Sequence, residues 1–479
     1  MTLIAGACLA ASPASAGAAS SRPDEPVTLT GAEAGSLQGL QPERILAFAY
    51  SRRGGKSSKR LRGSWTQVPV QIDERKLVDF GTQPAANAVG GGVDGTVYGT
   101  APSGLTALQY ADPGTFVGAD PDARFDADDE LTFMAGDSGS RAPKKRAKPR
   151  KAGWQGATRI RIHDSLAHGR ATYLYLFNST DQALKPDAGR DYVSYDFNLQ
   201  SGPYKTTYRR GEGPNPETST ISTDNYEIGF SDRWYYDRLS IRAGDSQPAD
   251  ILDGLKFGFG PGNCGRSEAT FNAGEGAFVA NIDGPVRAIR SYVGANSGPR
   301  TERTHIFYRD RDEIITDLRV HPVPGPLLYR DMSAAGLGMQ FRSASNPIPV
   351  TVNGVADQVS SEPADWQLWS GRQGSLFAAD RIQSSFADEL QAEASSFYLD
   401  DATPSYQQCW GDSHAYGQFG YQSSADMPNT DPALGAAATL HTTTTEILGP
   451  PGFGTGRATY LSHRIDEPLS ATSSALERP

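Results

Sequence analysis

The chain has 479 residues, of which 38% are hydrophobic and 9% aromatic, and its formal net charge at pH 7 is -10. This length exceeds what one small core needs, so we expect at least two domains. The acidic balance argues against nucleic acid as a partner, because phosphate binding needs a basic face. The 52 glycines and 32 prolines predict many turns between short elements.

The N-terminus predicts export. Residues 1–11 are mostly small and apolar, and Ala14-Ser15-Ala16 fits a signal peptidase site. We therefore expect a signal peptide over residues 1–16 and a secreted protein. A lipid anchor on Cys8 is the alternative, although no large apolar residue directly precedes this cysteine. No later stretch has the ~20 apolar residues of a membrane helix, so we predict no membrane span.

Composition and periodicity divide the rest of the chain into four parts. Residues 17–40 are rich in Ala, Gly and Ser and predict a flexible leader. Residues 41–155 predict a small N-terminal β-domain with basic loop insertions. Residues 156–470 predict a large antiparallel β-sandwich of the supersandwich type, and residues 471–479 are interpreted as a tail.

Strand signals dominate this prediction. Apolar residues alternate with polar ones over residues 65–73, and Asp283-Gly284 predicts the turn of a hairpin. A second hairpin is expected around residues 310–312. Only residues 386–394 indicate a helix, whereas residues 459–465 are predicted as a strand. Strands at this spacing, without alternating helices, are typical of an all-β fold built from packed antiparallel sheets.

Three segments resemble a known group of proteins. Residues 68–74 read Val-Pro-Val-Gln-Ile-Asp-Glu, and residues 126–133 read Asp-Ala-Asp-Asp-Glu-Leu-Thr-Phe. Together they resemble the opening β-domain of secreted bacterial polysaccharide-processing proteins, which have Asp-Gly where this chain has Asp128-Asp129. Residues 284–288, Gly-Pro-Val-Arg-Ala, resemble the galactose-mutarotase-like (supersandwich) domain of the same proteins. The resemblance implies a two-part β fold and a polysaccharide partner.

Acidic residues are dense before the predicted strand at 131–134. The run comprises Asp120, Asp122, Asp126, Asp128, Asp129 and Glu130. A solvated turn is the favoured interpretation, and a calcium ion held by these oxygens is the alternative. An EF-hand loop needs glycine at its sixth position, which is Leu131 when counted from Asp126 and Phe125 when counted from Asp120. The seven histidines show no zinc-binding spacing, so no metal site and no other cofactor are predicted.

Two cysteines remain after removal of the signal peptide, Cys264 and Cys409. In an oxidising compartment this pair predicts one disulfide, with two unpaired buried thiols as the alternative. A disulfide holds its Cα atoms within ~7 Å, so it would join two polar loops. The candidate site residues of these loops are Asn263, Arg266, Glu268, Trp410, Asp412, His414 and Tyr416.

The joined loops suit two kinds of polysaccharide cleavage. For β-elimination, His414 or Tyr416 is the candidate base, and Arg266 with Asn263 would neutralise the substrate carboxylate. Trp410 would stack on a sugar ring.

Hydrolysis of a glycosidic bond needs two carboxylates instead, and Glu268 and Asp412 are the candidate pair. A third cluster, Asp232, Arg233 and Trp234, combines a ring with polar groups and predicts a sugar-binding surface. The alternative for that cluster is packing in the sandwich core.

The sequence thus predicts a secreted enzyme that cleaves a polysaccharide, with β-elimination slightly preferred over hydrolysis. A non-catalytic carbohydrate-binding or structural protein is the rival hypothesis from a different class.

Export generates the first testable prediction. Protein recovered from the culture medium should begin near Gly17, because cleavage is expected after Ala16. Intact-mass spectrometry of the secreted fraction measures this start. A full-length product retained in the cytoplasm would contradict the prediction.

Overall fold

The computed structural model describes residues 20–53, 62–80, 85–86, 106–143, 149, 154–167, 171–209, 213–259, 267–274, 276–294, 301–319, 325–384, 387–403, 414–426 and 439–476. The first strands in chain order are β1 (Pro26–Thr30), β2 (Ile45–Arg53), β3 (Arg62–Val68), β4 (Gln71–Asp73), β5 (Arg75–Asp79), β6 (Ala85–Ala86), β7 (Thr106–Tyr110), β8 (Glu130–Met134), β9 (Trp154–His163) and β10 (Thr172–Ser179).

The remaining strands are β11 (Val193–Asp196), β12 (Tyr208–Arg209), β13 (Ser219–Thr223), β14 (Tyr226–Asp232), β15 (Tyr235–Ile241), β16 (Leu252–Phe259), β17 (Ala277–Ile282), β18 (Ala288–Val293), β19 (Glu302–Phe307), β20 (Arg311–Arg319), β21 (Pro326–Met332), β22 (Gln340–Ser343), β23 (Val350–Thr351), β24 (Gln367–Gly371), β25 (Gly374–Ile382), β26 (Ala394–Asp401), β27 (Ala415–Ser423), β28 (Thr439–Gly449) and β29 (Ser470–Ala475). The α-helices are α1 (Glu268–Asn272), α2 (Ala387–Ala392) and α3 (Thr455–Asp466).

The largest sheet has nine strands in the order β17-β18-β19-β20-β28-β25-β24-β22-β23. Two four-stranded sheets, β11-β13-β14-β15 and β16-β21-β27-β26, contribute side chains to the same core as this sheet. All neighbours in these three sheets are antiparallel. The all-β prediction and its large antiparallel sandwich are therefore confirmed.

Alternation along β20 decides which side chains enter the core. Ile314 and Leu318 are buried and belong to the largest apolar cluster. Glu313, Ile315 and Asp317 occupy the intervening positions and therefore point to the opposite face of the sheet. That opposite face is covered only in part, which leaves room for a cleft.

A second, smaller group of sheets covers part of this face. A five-stranded sheet, β29-β9-β10-β2-β3, packs on a three-stranded sheet, β1-β8-β4, around residues such as Val27, Ile45 and Phe133. Strands β9 and β10 lie at or beyond the predicted boundary at residue 156, yet they complete the sheet begun by β2. The division into two folding units itself stays a prediction.

The chain ends differ from the sequence interpretation. The predicted flexible leader at 17–40 contains β1, which pairs with β8 and buries Val27 and Leu29. The predicted tail at 471–479 contains most of β29, which pairs with β9 at the sheet edge. Strand β29 is short and rich in Ser and Ala, so its two faces differ little in polarity and the sequence pattern missed it.

Two further predictions are corrected. Residues 459–465 lie in α3, whose buried Ala458 and Leu461 follow the helical spacing of three to four residues and not the strand spacing of two. The single strand predicted at 65–73 is two strands in different sheets, β3 and β4. Pro69 lies at the break, because proline has no N–H for the ladder.

The hairpins and the other helix agree with prediction. Strands β17 and β18 pair around Asp283-Gly284, with a connection of residues 283–287, and β19 pairs with β20 around residues 308–310. Helix α2 lies inside the predicted 386–394 segment. None of the described helices is long and apolar enough to cross a membrane.

A buried guanidinium joins the smaller sheets to the nine-stranded sheet. Arg287 is 1% exposed and contacts Asp73 at 2.7 Å and Glu130 at 2.6 Å. The backbone N–H groups of Val286 and Arg287 also donate to Oε1 of Gln71. All three segments that carry the family resemblance therefore meet at this network.

Removing this guanidinium should destabilise the fold strongly. Arg287→Ala leaves two carboxylates without their buried partner, so we expect a loss of about 3–5 kcal/mol in the free energy of unfolding. Arg242→Ala, which breaks an exposed pair with Glu227, is the matched control and should cost about 0–1 kcal/mol. Guanidinium denaturation followed by circular dichroism measures both variants, and equal losses would contradict the network's role.

Candidate functional site

A cleft of about 480 Å³ lies between the nine-stranded sheet and the smaller sheets. We call it the cleft throughout. Its polar and aromatic lining residues are Thr28, Arg75, Gln109, Tyr110, Glu130, Arg287, Glu302, Thr304, Tyr308, Glu313, Asp317 and His441. The β5–β7 pair forms one wall and the faces of β19, β20 and β28 form the other.

Two carboxylates face each other on the sheet wall. Glu302 of β19 is directly opposite Asp317 of β20 in the antiparallel register. Gln109 donates its amide to Glu302 at 3.1 Å, and the hydroxyl of Ser291 donates at 3.0 Å. Glu302 is therefore held by donors from both walls and is 7% exposed.

Asp317 forms a pair with a histidine on the next strand. Its Oδ1 lies 2.8 Å from Nδ1 of His441, and both side chains are about one-third exposed or less. This hydrogen bond raises the pKa of His441 above its ordinary value, and burial offsets the effect only in part. The imidazole thus keeps its proton to a higher pH than a free histidine.

The other wall carries rings and guanidinium groups. Tyr110 donates to Glu130 at 2.9 Å, and Arg75 contacts the same carboxylate at 2.7 Å. Burial alone would raise the pKa of Glu130, but Arg287 and Arg75 outweigh it and the pKa is lowered. On the sheet wall, burial raises the pKa of Tyr308, which directly follows β19, to about 12.

A group of three carboxylates lies behind this wall. One oxygen each of Glu74, Asp120 and Asp129 lies within 4.8 Å of the others, and these side chains are the described residues that could hold a metal ion. We call them the Glu74 cluster. Burial, followed by the charges of Asp129 and Asp120, raises the pKa of Glu74 to about 8.

Three residues of the predicted disulfide-linked site lie among the described residues: Glu268, His414 and Tyr416. Glu268 is buried, accepts a hydrogen bond from the N–H of Phe257 at 3.0 Å and lies 3.9 Å from Lys256. Lys256 also contacts Asp331, which accepts a hydrogen bond from Gln418 on β27. This chain of contacts leads from Glu268 towards the start of β27.

His414 and Tyr416 lie at that start. His414 is exposed, its Nδ1 lies 2.7 Å from the carbonyl oxygen of Ala402, and its ring centroid is 6.0 Å from that of Tyr416. Burial raises the pKa of Glu268 above its ordinary value. A role for these three residues in cleavage stays a prediction.

The other members of that site, and the disulfide itself, lie outside the described residues. They are Asn263, Cys264, Arg266, Cys409, Trp410 and Asp412.

The predicted sugar surface at Asp232, Arg233 and Trp234 is corrected. All three are at most 3% exposed. Arg233 stacks over Tyr204 at 4.0 Å, and the indole of Trp234 donates to the carbonyl oxygen of Gly294 at 3.1 Å. These residues pack the core, which was the alternative interpretation.

A second cavity, of about 320 Å³, has a largely apolar wall that includes Phe257, Leu328 and Ile382. Two carboxylates line it, Asp365 and Asp380. Asp380 is already engaged by the buried Arg330 and by Thr444. The cleft combines more carboxylates with a histidine, so it is the better candidate for chemistry.

The sequence prediction missed the cleft residues. A local signal was present in β20, where Glu313 and Asp317 lie on one face of a strand whose other face carries the apolar Ile314 and Leu318. Glu302 and His441 lie on separate strands, so only the sheet register brings them to this face.

None of the protein-family models matches this chain, and no curated protein matches it. Among solved structures, an alpha-mannosidase from Enterococcus faecalis is similar, with 9% sequence identity and a TM-score of 0.41. The match covers 92% of this chain and 45% of the mannosidase chain. This chain therefore spans less than half of that protein, and a likeness of this size assigns neither family nor function.

The His441–Asp317 pair generates a prediction about titration. Asp317→Asn removes the charge that favours the imidazolium, so the titration midpoint of His441 should fall towards the ordinary value. The stabilisation from this pair is present at low pH and is lost as pH rises through the raised pKa. Histidine ring signals followed by NMR measure the midpoint, and the other histidines should keep theirs. An unchanged midpoint for His441 would contradict the pairing.

Proposed function

We propose that the protein is an exported carbohydrate-active enzyme that hydrolyses a polysaccharide in the cleft. The observation that carries this proposal is the pair of opposed carboxylates, Glu302 and Asp317, in a cavity that also holds tyrosine rings. Export rests on the apolar N-terminus and its Ala14-Ser15-Ala16 site.

The lining of the cleft suits a sugar ligand. Sugars present apolar C–H faces to aromatic rings and hydroxyl groups to carboxylates, amides and guanidinium groups. Tyr110 and Tyr308 provide rings, while Gln109, Thr304 and Glu313 provide polar atoms. A cavity of about 480 Å³ lies within the usual range of small-molecule sites, so it has room for one or two sugar units.

The positions of the two carboxylates fit glycoside hydrolysis. Directly opposed residues of antiparallel strands have Cβ atoms about 4.5–5.5 Å apart, and retaining glycosidases place their carboxyl groups about 5–5.5 Å apart. We therefore propose a retaining mechanism, since side chains on such neighbouring Cβ atoms can bring their carboxyl groups to this separation, whereas an inverting mechanism needs about 6.5–9.5 Å.

We assign the two roles from the surroundings of each group. Glu302 is the less exposed carboxylate and would give its proton to the glycosidic oxygen as the bond to the anomeric carbon breaks. Asp317, held in place by His441, would form the new bond to that carbon. Water then cleaves the glycosyl–Asp317 ester and returns its proton to Glu302.

The charges of the cleft favour hydrolysis over β-elimination. Four carboxylates line it, Glu130, Glu302, Glu313 and Asp317, against two guanidinium groups and the imidazole of His441, which is paired with Asp317. Both guanidinium groups are already paired with Glu130, and Arg287 also with Asp73. A uronate would meet net repulsion there, and no unpaired cation of the lining would neutralise its carboxylate.

Activity measurements on a panel of neutral, acidic and amino polysaccharides test the proposal. New reducing ends without unsaturated products are expected. Glu302→Gln and Asp317→Asn should each lower kcat/KM at least about 100-fold with little change in Tm, because both groups act in the transition state. Glu227→Gln, an exposed carboxylate of another sheet, is the matched control and should keep full activity.

A fourth variant distinguishes the two candidate sites. His414→Ala should leave activity intact if the cleft is the active site. Loss of activity in His414→Ala, with full activity in Glu302→Gln and Asp317→Asn, would move the site to the start of β27. Ultraviolet-absorbing unsaturated products would contradict hydrolysis, and binding without any product would indicate a carbohydrate-binding protein instead.

A further inference from the structure

We propose that Glu74, Asp120 and Asp129 bind a calcium ion. Two segments of the chain supply the ligands. Glu74 lies between β4 and β5, Asp120 lies in the connection from β7 to β8, and Asp129 directly precedes β8. The inference stands apart from hydrolysis, because none of these residues lines the cleft.

The first argument is an unusual carboxylate. Both side-chain oxygens of Glu74 are buried, and neither accepts a hydrogen bond from any described residue. A carboxylate is an acceptor with about four lone-pair directions, and burying it without a donor is costly. Either a proton or a cation must therefore compensate this group, and its raised pKa reflects the same imbalance.

The second argument is the lack of a compensating side chain. The neighbouring cationic side chains have other partners: Arg75 pairs with Glu130, and Lys76 donates to the carbonyl oxygens of Val117 and Ala119. Over the described part of the chain, no lysine, arginine or histidine forms an ion pair with a member of the Glu74 cluster.

The third argument is that the surroundings hold the ligands in place. Asp129 accepts the N–H of Arg75 at 2.8 Å on one oxygen and that of Asp126 at 2.8 Å on the other. Asp120 accepts the N–H of Asp122 at 2.9 Å. Each accepting oxygen keeps a second lone pair that can bind a metal ion. These hydrogen bonds therefore orient the carboxylates and leave them able to act as ligands.

The donor set selects the ion. All donors are carboxylate oxygens, which suit a hard cation and not zinc, for which cysteine or histidine is usual. Calcium binds oxygens at about 2.3–2.6 Å, so oxygens on opposite sides of the ion lie about 5 Å apart. The three oxygens lie within 4.8 Å of one another, as the ligands of one such ion must. Three carboxylates favour calcium over magnesium, which proteins usually bind through one or two carboxylates and several waters.

Calorimetric titration of the full chain with calcium chloride, after treatment with EDTA, tests the site. One calcium ion per chain is expected. Glu74→Gln and Asp120→Asn should each weaken Kd at least about tenfold, because each removes one of three charged ligands. Asp245→Asn removes an exposed charge elsewhere and should leave Kd unchanged.

Thermal unfolding separates the ion from the alternative, a proton on Glu74. Calcium should raise Tm in the wild type and in Asp245→Asn, and should raise it less in Glu74→Gln and Asp120→Asn. If Glu74 is simply protonated, Glu74→Gln will keep the wild-type Tm with or without calcium. That result, or calcium binding of equal strength in all variants, would overturn the proposal. Asp120→Asn keeps the test valid if Glu74→Gln does not fold.

Discussion

The ion pair of Arg287 with Asp73 and Glu130 is the contact on which the arrangement of this molecule depends. A guanidinium that is 1% exposed is tolerated only when carboxylates and other acceptors surround it. Here the two carboxylates come from β4 and β8 and the guanidinium from the turn before β18. The network therefore fixes where the smaller sheets rest on the nine-stranded sheet.

The cleft is a consequence of that placement. One wall is the outward face of β19, β20 and β28, and the other is the β5–β7 pair carried by the smaller sheets. Gln109 reaches across to Glu302, so a residue of one wall orients a carboxylate of the other. A site of this kind exists only when both parts of the fold are assembled.

The molecule compensates its many carboxylates in different ways. Glu130 is paired with guanidinium groups, and Asp317 is paired with a histidine. Glu74, by contrast, has neither a cation nor a donor among the described residues. By these partners, Glu130 is a structural carboxylate, Asp317 is the one assigned to chemistry and Glu74 is the one assigned to a metal ion. All three lie in one region of the fold.

Local patterns in the sequence determined the all-β class, the hairpins at 277–293 and 302–319 and the helix at 387–392, because alternation and turn residues act over a few neighbouring positions. Tertiary structure alone decided that Gln109 meets Glu302 across 193 positions, that Glu74 joins Asp120 and Asp129, and that Arg233 and Trp234 are buried. The sequence run at 120–130 held two of the three proposed calcium ligands but not Glu74. Contacts of this kind follow from sheet register and from which faces bury each other, and no local periodicity encodes either.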